Sequence, residues 1–214
     1  ADFQPDKTAI RFEGTDISYA VFDDRIRRVA CVLRGDLNVG RGDRVAYLGL
    51  NSPDMLALMF GCARLGAILV PLNWRLAPPE HLYILQNAGA KALFCEAEFA
   101  EGTQSIATDL EGCRIVAMGD EFDQLVAAAS GDARDVDAGP DDAVLIVYTS
   151  GTTGRPKGAV LTQNAMTFNA VNSIAMHDMT STDVIFTNLP MFHVGGLNIQ
   201  TPPALHAGAT VIMH

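Results

Sequence analysis

The chain has 214 residues, with 15 Lys and Arg against 25 Asp and Glu, a formal net charge of −10, and 49% hydrophobic residues. It is too apolar for a disordered chain and long enough to bury a core. The acidic balance excludes a general nucleic-acid binder, which needs a basic face, and leaves room only for a local cationic pocket.

In chain order, residues 9–12 and 16–19 flank Glu13-Gly14-Thr15 and predict a hairpin. A helix over 20–34 follows, with Val21, Phe22, Ile26, Val29, Val32 and Leu33 spaced for one buried face. Residues 45–50 are mostly apolar, as a buried strand requires. Ser52-Pro53-Asp54 then combines an N-cap, a first-turn proline and a first-turn acid. Met55, Leu58, Met59 and Cys62 share a helical face, and Gly66 suits a left-handed helix end. Residues 55–72 carry one charge, Arg64, but Gly61, Gly66 and Pro71 interrupt the run. That predicts a buried helix and a strand over 67–70, stopped by Pro71, instead of a membrane span.

The alternation continues with a helix over 79–88, a strand over 91–95, a weaker helix near 104–110, a strand over 114–118 and a helix over 121–129. Residues 130–142 hold five Asp, two Gly and one Pro and read as a solvated connection. The strongest strand, 143–148, leads into a Gly/Thr-rich loop and then a helix capped by Thr162. Strands over 184–188 and 209–213 complete the series. Such short alternation predicts an α/β fold: a doubly wound, mostly parallel sheet with helices on both faces.

Several side chains have plain expectations. Met166, Phe168 and Met176 read as core, His81 as a surface residue, and Arg75 as one half of an anchoring ion pair. His177, His206 and His214 have no partner at metal-ligand spacing. Cys31, Cys62, Cys95 and Cys113 form no C-x-x-C motif and no disulfide framework. Residues 1–6 lack the basic start and apolar run of a secretory signal. Together these predict a reducing, cytoplasmic location.

Tyr148 through Gly158 carries the chemistry: three Gly, three Thr, one Ser and two cations in eleven residues after a buried strand. Glycines let backbone N–H groups turn toward an anion. The hydroxyls of Thr149, Ser150, Thr152 and Thr153 donate to phosphate oxygens, and Lys157 neutralises them. Ligands in open α/β sheets sit at carboxyl strand ends, so the loop reads as a polyphosphate cradle. It is neither the common P-loop, because Arg155-Pro156 separate Gly154 from Lys157, nor a dinucleotide fingerprint, because Val45 stands where a third glycine is needed after Gly40 and Gly42.

This loop resembles the signature of the adenylate-forming superfamily, which includes acyl-CoA synthetases, luciferases and peptide-synthetase adenylation domains. The resemblance extends through Leu65-Gly66-Ala67, Val70-Pro71-Leu72-Asn73, Arg75-Leu76 and Glu80 upstream, and Leu189-Pro190-Met191-Phe192-His193-Val194-Gly195-Gly196-Leu197 downstream. It implies activation of a carboxylic acid by ATP and Mg²⁺ to an acyl-adenylate, release of pyrophosphate, and transfer to coenzyme A. By that resemblance Thr149, Ser150, Gly151, Thr152, Thr153, Gly154 and Lys157 hold the ATP phosphates, and Thr149 also contacts Mg²⁺. Phe192, His193, Gly195 and Gly196 line the acyl pocket, and Lys157 and His193 are the catalytic candidates. Gln163 departs from the His that many relatives carry there and is expected to tune packing.

Amino-acid-activating relatives have an Asp after the aromatic where this chain has His193, and no carboxylate lies between Thr187 and His214. That argues against an α-amino acid substrate. The wording around Phe192 and Trp74 looks most like bacterial fatty-acyl-CoA synthetases and implies a medium- or long-chain fatty acid, with aryl and small acids as alternatives. The resemblance makes residues 43–180 a first α/β subdomain and residues 1–42 with 181–214 the beginning of a second. The later motifs and the mobile carboxy-terminal domain with its catalytic lysine are absent, so turnover by these residues alone is not expected. A homodimer is compatible with the exposed apolar surface this leaves. Two rivals stay open: a non-catalytic binding module that keeps the fold, and a phosphotransferase with a divergent P-loop.

Overall fold

The structure, a computed structural model, describes residues 4–130, 138–149 and 155–214. Two sheets organise them. The first has four strands in the order β2-β1-β10-β9, formed by β1 (Thr8–Phe12), β2 (Thr15–Ser18), β9 (Val184–Thr187) and β10 (Thr210–Met213). β1 and β2 make the antiparallel hairpin that Glu13-Gly14 turns, while β10 runs parallel to both β1 and β9.

The second sheet has six strands in the order β6-β5-β3-β4-β7-β8. Its members are β3 (Arg44–Leu48), β4 (Ile68–Pro71), β5 (Ala90–Cys95), β6 (Arg114–Ala117), β7 (Ala143–Thr149) and β8 (Lys157–Thr162). All neighbours pair parallel except β7 with β8. The Gly/Thr-rich loop therefore does not run straight into a helix, as its composition suggested. It returns as an antiparallel strand, which the apolar run Ala159-Val160-Leu161 makes possible. Pro71 ends β4 within the ladder; proline is tolerated at a strand end because its missing N–H removes few bonds there.

The helices between these strands cover both faces of the larger sheet. On one face lie α1 (Tyr19–Gly35), α2 (Pro53–Leu65) and α5 (Asp120–Ala128); on the other lie α3 (Pro78–Ala88) and α4 (Ala100–Ile106). The weak helix expected near 104–110 begins four residues earlier and ends earlier. Arg25 of α1 ties its neighbours together, pairing with Asp54 of α2 and, at 2.7 Å, with Asp123 of α5. Arg64 of α2 reaches back to Asp23 of α1 at 2.6 Å. α2 starts as its sequence dictates: Ser52 Oγ accepts from Met55 N at 3.2 Å, and Gly66 closes the helix at φ 64°. Val21, counted with the buried face of α1, is instead 60% exposed; its neighbours Phe22, Ile26, Val29, Val32 and Leu33 are buried.

α6 (Gln163–His177) carries the chain from the larger sheet to the smaller, and α7 (Val194–Leu197) and α8 (Thr201–Ala207) lie between β9 and β10 of the smaller. The last two carry no strong apolar periodicity and were not anticipated. Phe168 and Met176 of α6, expected in the core, are 64% and 75% exposed, because α6 packs through one narrow face against α8 and the end of β8. Tyr19 joins the layers: its hydroxyl donates to Ala209 O at 2.6 Å, and burial pushes its pKa up to about 12. One continuous core runs from β1, β10 and α8 through α1 and α2 to β7. All four cysteines are unpaired, and no helix among the described residues is long and apolar enough to cross a membrane.

Candidate functional site

The carboxyl ends of β3, β4, β5 and β7 lie at one edge of the six-stranded sheet, where connecting loops of such sheets form ligand crevices. At this edge Thr149 stands opposite Lys157 across the β7–β8 ladder. Both are exposed at the mouth of the hairpin. Ser150, Gly151, Thr152, Thr153 and Gly154 lie outside the described residues. Among the described residues, no ion pair involves Lys157 or Arg155.

α3 braces this hairpin from the side. Tyr148 donates to Asn87 Oδ1 at 2.6 Å, and the Arg155 guanidinium lies 5.7 Å from the centre of the Tyr83 ring. The loop before α3 reaches the second motif. Trp74 meets Phe192 edge-on, with ring centres 6.2 Å apart. Arg75 forms no ion pair among the described residues. Its guanidinium stacks 4.8 Å from the Trp74 ring and 5.9 Å from Phe192, since aromatic faces are the partners within its reach. Residues 74–83 thus touch both motifs, and Phe192 and the hairpin share one edge of the fold.

The second motif is a compact turn between β9 and α8. Met191 is fully buried and Phe192 half-buried, while His193 is exposed. His193 caps α7: its Nδ1 accepts from Gly195 N at 3.0 Å. In the neutral ring that bond leaves the proton on Nε2. A Cβ on Gly196 would fall 2.3 Å from Pro190 O and 2.4 Å from Leu189 O, so only glycine lets the turn fold back on itself. Below it, the buried Thr201 hydroxyl donates to Gly196 O at 3.0 Å and meets Thr187 Oγ1 at 2.7 Å.

Two features had no sequence signal. Asn51 binds this turn from the loop after β3; it was hidden between a strand and a strong helix start. His81, expected at the surface, is buried, with Nε2 2.8 Å from Asn73 O. Burial lowers its pKa, against the pull of Asn73 O and Glu80, and it holds the chain turn that carries Trp74. Next to Asn51, burial and then the Glu96 charge push the Tyr47 hydroxyl up, keeping it a donor.

A separate cleft of about 590 Å³ opens between α1, α2, α6 and α8, with Phe22, Ile26, Met59, Phe60, Met166 and Leu205 among its walls. It lies by the carboxyl end of α2, at the opposite edge from both motifs. There Gln163 Nε2 donates to Ala63 O at 2.9 Å. No group of three His, Cys, Asp or Glu among the described residues stands ready to hold a metal ion.

The sequence profile described as AMP-binding enzyme matches residues 1–214. The chain is 48% identical over 225 residues to an indoleacetate–CoA ligase of Aromatoleum aromaticum, covering all of this chain and 43% of that protein. It is 36% identical over 203 residues to the long-chain-fatty-acid–CoA ligase FadD13 of Mycobacterium tuberculosis, covering 92% of this chain and 40% of that protein. The crystal structure of ATP-bound MatB from Rhodopseudomonas palustris superposes with a TM-score of 0.89 at 33% identity, over 97% of this chain and 42% of that one. The chain thus spans less than half the length of these relatives. With its full length matched and its fold shared, the chain belongs to the AMP-binding enzyme family.

Proposed function

We propose that these residues are the amino-terminal part of an ATP-dependent acid–CoA ligase that forms an acyl-adenylate, releases pyrophosphate and passes the acyl group to the thiol of coenzyme A. The observation that carries this reading is that residues 74–83 link the hairpin mouth, where Thr149 lies opposite Lys157, to the Phe192–His193 turn. Attack of a carboxylate on the α-phosphate breaks the bond to pyrophosphate and moves charge onto it, so donors and a cation there lower the barrier. Lys157 supplies the cation, and Thr149 with Ser150, Gly151, Thr152, Thr153 and Gly154 supplies the donors. His193 Nε2–H faces the acid's carboxylate.

Thr149 and the nucleotide phosphates would hold a magnesium ion, which would neutralise the phosphates' charge.

For the acid, the greater identity to a ligase named for indoleacetate than to one named for long-chain fatty acids favours an aromatic acid. Trp74 and Phe192 give a flat aromatic ring an edge to pack against. A medium- or long-chain fatty acid is the second reading, supported by the fatty-acid relative. The reading places the enzyme in the cytoplasm, as a monomer or homodimer.

The test uses the longer ligase that begins with this chain. Pyrophosphate release is followed with ATP, Mg²⁺ and a panel of aryl, fatty and small acids, with and without coenzyme A. Release with arylacetic acids, rising with coenzyme A, is expected. Release only with fatty acids selects the second reading, and no release with any acid rejects both. Lys157→Ala is expected to lower ATP–pyrophosphate exchange about 100-fold; unchanged exchange removes Lys157 from the phosphate site.

A further inference from the structure

We infer that Asn51 is a positioning residue that sets the Phe192–His193 turn from across the molecule, an assignment that rests on the reaction proposed above. Asn51 follows β3 of the six-stranded sheet, and the turn follows β9 of the four-stranded one. Its side-chain Nδ2 donates to Leu189 O at 3.0 Å, and its Oδ1 accepts from Met191 N at 2.8 Å. One primary amide thus bonds the backbone on both sides of Pro190, as a neighbouring strand would. Pro190 has no N–H of its own, so these two bonds fix the segment directly before Phe192 and His193.

The amide is itself held still. Leu50 N donates to Glu96 Oε2 at 2.9 Å, and Tyr47 Oη donates to Leu50 O at 3.0 Å. Tyr47 Oη also lies 2.9 Å from Ser52 Oγ and donates to Glu96 Oε1. The residues before and after Asn51 are therefore bonded into β3, β5 and the start of α2, which leaves its side chain aimed at the turn. From the far side the turn closes through His193 N donating to Pro190 O at 3.2 Å and through the Thr201–Gly196 bond. Asn51, together with the Trp74–Phe192 contact, refers this closed unit to the edge bearing Thr149 and Lys157. Without it the His193 donor keeps its own turn but loses its register against the phosphate loop.

Asparagine is required because the site needs one donor and one acceptor. Aspartate keeps the acceptor for Met191 N and sets a charged oxygen against Leu189 O. Once protonated, its carboxyl again offers one donor and one acceptor in the same shape.

Two measurements test this. In the 214-residue chain, amide exchange read by mass spectrometry compares Asn51→Ala with the parent. Peptides covering 189–197 are expected to exchange at least tenfold faster, with β3 and β5 peptides unchanged; unchanged exchange in 189–197 overturns the clamp. In the longer ligase, Asn51→Ala is expected to lower kcat for acid-dependent pyrophosphate exchange at least tenfold, with the KM for ATP within twofold. Unchanged kcat in Asn51→Ala overturns the positioning role. A parent ligase that activates no acid refutes the proposed function instead, and the exchange measurement still decides the clamp. Should Asn51→Ala not fold, the exchange comparison is made with Asn51→Asp.

Discussion

Helices α2 and α6 are close to the same length and begin alike, yet they end up in opposite surroundings. Ser52 Oγ accepts from Met55 N at 3.2 Å, and Thr162 Oγ1 accepts from Ala165 N at 3.1 Å. Each helix stops at a left-handed residue, Gly66 at φ 64° and Asp178 at φ 53°. Nevertheless α2 buries nine residues and α6 only two, Ala170 and Ser173. The cause is connectivity. α2 crosses between β3 and β4 of one sheet and is roofed by α1, so every side of it meets protein. α6 carries the chain from one sheet to the other and touches its neighbours along a single stripe. Caps decide where a helix starts and stops, and topology decides what it buries.

The largest expected effect tests that contrast directly. Leu58 is fully buried and Phe168 is 64% exposed. Leu58→Ala should cost about 2–5 kcal/mol, through lost transfer energy and the cavity left behind. Phe168→Ala removes a larger side chain and should stay within about 0.5 kcal/mol of the parent. Urea midpoints at unchanged slope measure both. A loss above about 2 kcal/mol at Phe168 would break the comparison, because it would mean that α6 is covered in solution.

The caps sharpen it further. Ser52 Oγ also bonds Tyr47 Oη, and so belongs to the network around Asn51, whereas Thr162 Oγ1 serves its own helix alone. Ser52→Ala should therefore cost about 1–2 kcal/mol and Thr162→Ala about 0.5–1 kcal/mol. Equal losses in the two variants would show that the Tyr47 bond adds nothing beyond capping.

The same division explains what was legible in the sequence. The strands, the Ser52-Pro53 start and the Gly66 end of α2 follow from local periodicity and cap chemistry, which one segment carries by itself. The Gly/Thr-rich loop and the Phe192–His193 segment were legible as motifs of a family, and the chain belongs to that family. What escaped depends on partners distant in the chain. Nothing in Asn51-Ser52-Pro53 says that an amide will reach Leu189, 138 residues away. Strand β8 was overlooked because its ladder forms with β7 across a loop, and α7 and α8 because glycines and prolines blur a short helix. Phe168 and Met176 were misassigned because hydrophobicity reports what a side chain prefers, while burial depends on whether another element arrives to cover it. Arg75 was expected to find a carboxylate, and found aromatic rings because those were what the fold placed beside it.

A third helix gives the smallest effect, and a different probe of burial. α3 stands between the extremes, burying His81, Ile84, Leu85 and Ala88. Burial lowers the His81 pKa in the folded state below its ordinary value of 6.5, against the opposing pull of Asn73 O and Glu80. The folded protein then resists a proton that the unfolded chain accepts. Stability should be constant well above pH 6.5 and fall as pH descends through 6.5, until the folded-state pKa is passed. Between pH 7 and 6 one such group contributes no more than about 0.7 kcal/mol. The comparison is with His81→Gln, which retains a donor for Asn73 O and cannot titrate; the difference in unfolding free energy between the two proteins should shift in the parent's disfavour as pH drops from 7 to 6. A difference independent of pH would place His81 in contact with water, and α3 would then belong with α6 instead of α2.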